Sequence, residues 1–281
     1  MTAAANSSEF RSAESVAATL PAASHARRRP LFLGPMLRAR VDADGPALRV
    51  RAAQRAETRF PLDRVSRIVA SARVNWSADA LRACLQSAIP IVMVSEDGSP
   101  LGSVHPASLQ GSRLAEGLEE LLDHPDWRDI YGCWLRAARM RVLAEWRRAR
   151  QGEGAAPDPN AYRELVRRHV YCRQPASPKH GMRGLWRAAI YALAVATTAR
   201  WGLPPLLWGS GGDPLDLPRD LSDLLELRLR LEVYQEMEAA LKNEATMLFV
   251  LQSLTEKLEL EAGRAMRSLA RRVNEVLTQW R

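Results

Sequence analysis

The sequence predicts an α+β chain, with a small N-terminal β-rich domain followed by a larger all-α domain. Residues 31–104 hold short apolar runs broken by glycine, proline and aspartate, as expected of strands joined by tight turns. From Ser112 onward apolar residues recur at three- and four-residue intervals, and no convincing strand pattern returns. A length of 281 residues with 47% hydrophobic content is enough for both parts to bury a core.

The first strands are expected at Leu31–Leu33, Met36–Val41 and Leu48–Arg51, with turn signals at Gly34-Pro35 and Asp42–Pro46. Arg38, Arg40, Arg49 and Arg51 alternate with apolar residues, which gives these strands one polar and one buried face. Ile68–Val69 and Ile89–Val94 are two more apolar strands, and the composition of the second buries it on both sides. Between them Ser77 caps a helix over Ala78–Gln86, which gathers Ala80, Leu81, Cys84 and Leu85 on one face. An acidic-glycine turn follows at Glu96–Gly98. His105–Gly111 is polar and carries a proline, so a linker at 106–112 separates a β-rich domain (31–105) from a helical domain (113–281).

Helical periodicity marks Leu114–Leu122, Trp127–Gln151, Ala161–Tyr171, Gly184–Trp201, Leu221–Lys242 and Glu244–Arg281. Loops lie at Gln151–Pro159, Arg173–Gly184 and Gly202–Pro218. The tryptophans fall mostly on these helices, as core residues do. Residues 1–30, rich in alanine and serine and ending in an arginine triplet, read as a disordered tail without the apolar stretch of a secretory signal.

Net charge is +8, carried by arginine far more than lysine. That balance favours polyanionic partners, nucleic acid first, through sequence-independent attraction. The three cysteines Cys84, Cys133 and Cys172 form no CxxC pair, which argues against a zinc site or disulfide framework and fits a reducing cytoplasm. No apolar run reaches the ~18 residues of a membrane span, so no membrane partner is expected. The glycines after Trp208 lack the lysine of a phosphate-binding loop, and no GxSxG serine elbow occurs.

The order strand, capped helix, strand and acidic-glycine turn over Phe60–Val104, ahead of an all-α domain, resembles the CRISPR-associated spacer-acquisition integrase, the metal-dependent subunit that inserts new spacers into CRISPR arrays. The resemblance extends over residues 31–240. In that family a glutamate on an early helix, a histidine after a Gly-Leu-x-Pro loop and acidic residues on the next helix hold the metal. Carried onto this sequence, the glutamate falls on Glu145 and the loop on Gly202–Gly209. The acidic residues fall on Asp220 and Asp223. The histidine position falls on or next to Ser210, and no histidine lies in that loop.

The resemblance implies a metal-dependent integrase with endonuclease activity, in which a 3′-hydroxyl attacks a phosphodiester. Such in-line displacement is helped by Mg²⁺ or Mn²⁺, and hard cations take oxygen ligands. Glu145, Asp220 and Asp223 would bind the metal, with Ser210 as the remaining catalytic position. Arg147, Arg148, Arg173, Lys179 and Arg183 would contact phosphates. The implied partners are double-stranded DNA (spacer fragment and CRISPR repeat), a second copy in a homodimer, and a small ferredoxin-like adaptation subunit.

Ordinary structural roles account for the same residues. Asp220 and Asp223 fit the first turn of a helix after Pro218, where acidic side chains cap and stabilise. Glu145 stands among Arg141, Arg147, Arg148 and Arg150, where ion pairing on a solvated face suffices. His169 and His180 read as surface or core-edge histidines, with either able to stand in for the lost one. The rival to the integrase is therefore a non-catalytic, DNA-binding or scaffolding relative of the same fold.

Overall fold

The computed structural model describes residues 28–34, 38–53, 55–96, 99–106, 112–172, 182–204, 207, 215–233 and 244–280. Eight strands come first: β1 (Arg29–Leu33), β2 (Ala39–Asp44), β3 (Ala47–Ala52), β4 (Thr58–Pro61), β5 (Val65–Ser71), β6 (Asn75–Trp76), β7 (Ile91–Val94) and β8 (Pro100–Val104). Helix α1 (Ala78–Gln86) lies between β6 and β7. The helical part holds α2 (Arg113–Leu122), α3 (Trp127–Gly152), α4 (Pro159–Val166), α5 (Met182–Arg200), α6 (Leu217–Val233) and α7 (Glu244–Trp280). The β-rich part followed by a helical part is the expected fold class.

The strands form two sheets, ordered β1-β5-β7-β8 and β4-β3-β2-β6. β2 and β3 pair antiparallel as far as Asp44 opposite Ala47, joined by a two-residue turn at Gly45-Pro46. Gly45 has φ +57°, a left-handed conformation that L side chains rarely adopt. The sequence places a turn at Asp42–Pro46, but Asp42 sits within β2, where Arg40 and Arg51 hold its carboxylate. The ladder wins because the tight turn needs only the glycine and proline.

The alternation of β5 and β7 explains how the two parts join. Ile68 and Ile91 face the core between the sheets, packed with Leu31, Val41, Leu48 and Ile89. Val69, Val92 and Val94 face the other way, into the core of the helices. The sheet is therefore buried on both faces, as the composition of residues 89–94 implies. Ser77 caps α1 by accepting from the Ala80 backbone N–H at 3.1 Å, and Ala80 and Cys84 are the buried face of that helix.

Two helices differ from expectation in ways that matter for the site. The stretch expected as one helix over Ala161–Tyr171 starts earlier, at Pro159, where Asp158 accepts from the backbone N–H groups of Asn160 and Ala161. It then winds into a π-helical turn over Arg167–Tyr171. The helix expected from Leu221 begins at Leu217, one turn sooner. Asp216 caps it, accepting from Arg219 N–H at 3.1 Å. Pro218 is tolerated because the first turn has no backbone bond to lose there. The expected extension of this helix to Lys242 falls outside the described residues beyond 233. Among the described residues, no helix is long and apolar enough to cross a membrane.

Candidate functional site

Asp216 takes the capping role expected of Asp220 and Asp223, so those two stand inside α6 as side chains with other partners. Asp216, Asp220, Asp223 and Glu226 follow one another at intervals of four, three and three residues, a spacing that places them along one side of the helix. Two neighbouring helices, α3 and α5, meet this acidic stripe. Tyr131 of α3 donates its hydroxyl to Asp220 Oδ2 at 3.0 Å. Arg139 of α3 lies with Nη2 3.8 Å from Asp223 Oδ2 and donates from Nη1 to the His169 carbonyl of the π-helical turn at 3.4 Å. Arg187 of α5 and Arg230 of α6 both reach Glu226 Oε1, at 3.4 Å and 2.6 Å.

The ties run in the same order along α3 and α6. Tyr131 meets Asp220, Arg139 meets Asp223, and Glu145 Oε2 accepts from Arg228 Nη1 at 3.0 Å. The two helices therefore lie side by side with the same sense. Tyr131 and Glu145 are 14 residues apart in one helix, a rise of about 21 Å at about 1.5 Å per residue. Asp220 is held at the Tyr131 end and Glu145 lies at the other. On α6 the matching anchors, Asp220 and Arg228, are eight residues apart, so the ties are spread along both helices. Among the described residues, no group of three or more histidine, cysteine, aspartate or glutamate side chains is arranged to hold a metal ion. The described donors do not fit a divalent ion held by Glu145, Asp220 and Asp223.

Electrostatics add to the picture. Burial raises the Asp223 carboxyl above the ordinary aspartate range, with Glu226 and Asp220 adding to it while Arg139 opposes. Asp216 is raised by burial as well, against its bond from Arg219. His169 is lowered by burial and then by Arg230, Arg168 and Arg139, with Glu226 opposing. A π-helical turn places an extra residue into a helix, and here it brings His169 up to the same arginines and Glu226. Arg139 is 6% exposed and turned into the protein.

The remaining expected residues are placed as follows. Arg147 stacks over the Tyr162 ring with its guanidinium carbon 4.8 Å from the centroid, and Arg148 is exposed on α3. Arg183 lies on α5, but its side chain is outside the described set. Ser210, Arg173, Lys179 and His180 lie outside the described residues. Sequence reasoning missed Tyr131, Arg187 and Arg228 as partners of the acidic residues. The four-three-three spacing from Asp216 to Glu226 was the legible signal for the stripe. The partner residues carried none, because they come from helices distant in sequence.

Residues 37–141 match the family model of CRISPR associated protein Cas1. No curated protein matches the chain significantly. Among solved structures, a Cas1 protein from Thermotoga maritima superposes with a TM-score of 0.61 at 12% identity, over 86% of this chain and 97% of that one. The TtCas1–DNA complex gives 0.57 at 14% identity, over 86% and 91%. A casposase bound to integration product gives 0.51 at 12% identity, over 75% of this chain and 74% of that one. At these identities the superpositions speak for the fold, and the family model speaks for residues 37–141. The chain therefore shares the fold of these Cas1 structures over most of its length, and its residues 37–141 match the Cas1 family model.

Proposed function

We propose that this chain is a DNA-binding, scaffolding member of the Cas1 integrase family, acting in spacer acquisition without carrying out strand transfer itself. The observation that carries the reading is the engagement of the expected metal-binding carboxylates by groups of the chain itself: Arg228 on Glu145, Tyr131 on Asp220 and Arg139 on Asp223. A carboxylate committed to a guanidinium is a poor partner for a second cation. The sequence-based expectation of a Mg²⁺- or Mn²⁺-dependent integrase using Glu145, Asp220 and Asp223 is the rival reading, and the family match favours it.

DNA as the partner is supported by the net charge of +8, by the exposed Arg148 on α3, and by similarity to one structure in complex with DNA and another bound to an integration product. The reading includes a homodimer through the β-rich domains, a small ferredoxin-like subunit, and the spacer fragment and CRISPR repeat as the DNA. Arg147, Arg148, Arg173, Lys179 and Arg183 would make phosphate contacts, which position DNA without reading its sequence.

Fluorescence anisotropy with a labelled branched duplex tests this. Affinity is expected to fall steeply with salt, as counterion release requires. Arg148→Ala should weaken binding to all sequences alike and lower the salt slope by about 1. Binding that is absent at low salt, or that ignores salt, would overturn the DNA role.

A further inference from the structure

The α6 acidic face faces a buried cation that belongs to the protein. We infer that Arg139 is the resident cation of this face, standing beside Asp223 where a divalent ion would have to sit, so that the wild-type protein does not take such an ion there. The inference rests on the Cas1-family reading and deepens it by naming what fills the site.

Arg139 is 6% exposed, and a guanidinium that deep must be neutralised and hydrogen-bonded. Asp223 supplies the charge at 3.8 Å and the His169 carbonyl accepts from the other terminal nitrogen at 3.4 Å. The side chain is thereby anchored on two elements, α6 and the π-helical turn, and cannot swing to solvent without leaving both. The carboxylates on either side are engaged too. Asp220 accepts from Tyr131, and Glu226 meets Arg187 and Arg230. A divalent ion bonds oxygen directly at about 2.0–2.6 Å. It would have to share Asp223 with a positive charge that the fold holds in place. The guanidinium keeps the face charged, filled and tied together without any ion.

Mn²⁺ titration of the full chain, without DNA, tests this through the EPR signal of free Mn²⁺ and the melting temperature. The wild type should show no stoichiometric site and no Mn²⁺-dependent rise in melting temperature. Arg139→Gln, which keeps a donor but removes the charge, should tighten Mn²⁺ binding at least tenfold, and adding Asp223→Asn should abolish the gain. A stoichiometric Mn²⁺ site in the wild type that Asp223→Asn removes would overturn the inference, as would a folded Arg139→Gln that gains nothing. If Arg139→Gln fails to fold, the wild-type and Asp223→Asn titrations still decide. Because no DNA is present, loss of the DNA role and loss of this inference give different results.

Discussion

Arg139 shows how one side chain changes the meaning of its neighbours. In the sequence it is one arginine among many on α3, indistinguishable from Arg136 or Arg148. In the fold it is buried against Asp223, whereas Arg148 is exposed. The spacing of Asp220 and Asp223 could be read from the sequence, but their partners could not, because Tyr131 and Arg139 reach them across about 80–90 residues of chain by packing alone. His169 gives a test at this scale. Its neutral form is favoured by burial and by Arg230, Arg168 and Arg139, against Glu226, so its folded pKa lies below the ordinary 6.5. Between those two values the unfolded chain binds the proton and the folded one does not, so stability rises with pH through that window and falls on acidification. Thermal melts should show the wild type losing stability as pH drops below about 6.5, with His169→Gln flattening that part of the profile. An unchanged profile in the variant would remove His169 from the account.

At the scale of elements, local signals were legible where the chemistry is local. Ser77 caps α1, and the helix runs over Ala78–Gln86 as its periodicity predicts. The start of α6 was displaced by one turn because Asp216 is as good a cap as Asp220, and the backbone N–H of Arg219 settles the choice. The π-helical turn at Arg167–Tyr171 left no mark on the periodicity, since it depends on what α3 and α6 present to it. The crossing of α2 and α7 is set by Gly117, where an added Cβ would lie 2.9 Å from Val273 Cγ1 and 3.6 Å from Leu277 Cδ1. Val273 is itself buried in the helical core, so it has little room to move aside. Gly117→Leu should destabilise the protein by about 1–3 kcal/mol through overpacking, read from the denaturant midpoint at constant m-value. A neutral or stabilising result would mean that the crossing is looser than these distances say.

For the whole molecule, the β-rich part and the helical part are tied as well as packed. Arg67 of β5 is 4% exposed and pairs with Glu259 of α7 at 3.1 Å. On α7, Glu261 is also buried and accepts from Arg141 of α3 at 2.8 Å. The fold class was legible because strand and helix periodicities are local and strong. The joint was not, because its polar partners lie 192 residues apart. The pair is unequal: water reaches part of Glu259, with 34% of its side chain exposed, whereas Arg67 is shut in at 5%. Removing Glu259 therefore strands a buried charge, and Glu259→Ala should destabilise by about 2–3 kcal/mol. Arg67→Met, which removes the buried charge and keeps an apolar stem, should change stability by less than about 1 kcal/mol. Equal losses from the two variants in chemical denaturation would contradict this asymmetry.

The central claim is that the carboxylates expected to hold a catalytic metal are held by the protein's own cations and donors. It is tested most directly by strand transfer on a labelled branched DNA with Mn²⁺ or Mg²⁺, comparing the wild type with Asp220→Ala and Glu145→Ala. The account predicts DNA binding without strand-transfer or cleavage product in any of the three. Metal-dependent product from the wild type that both variants lose would contradict it and establish the carboxylate site of an active integrase.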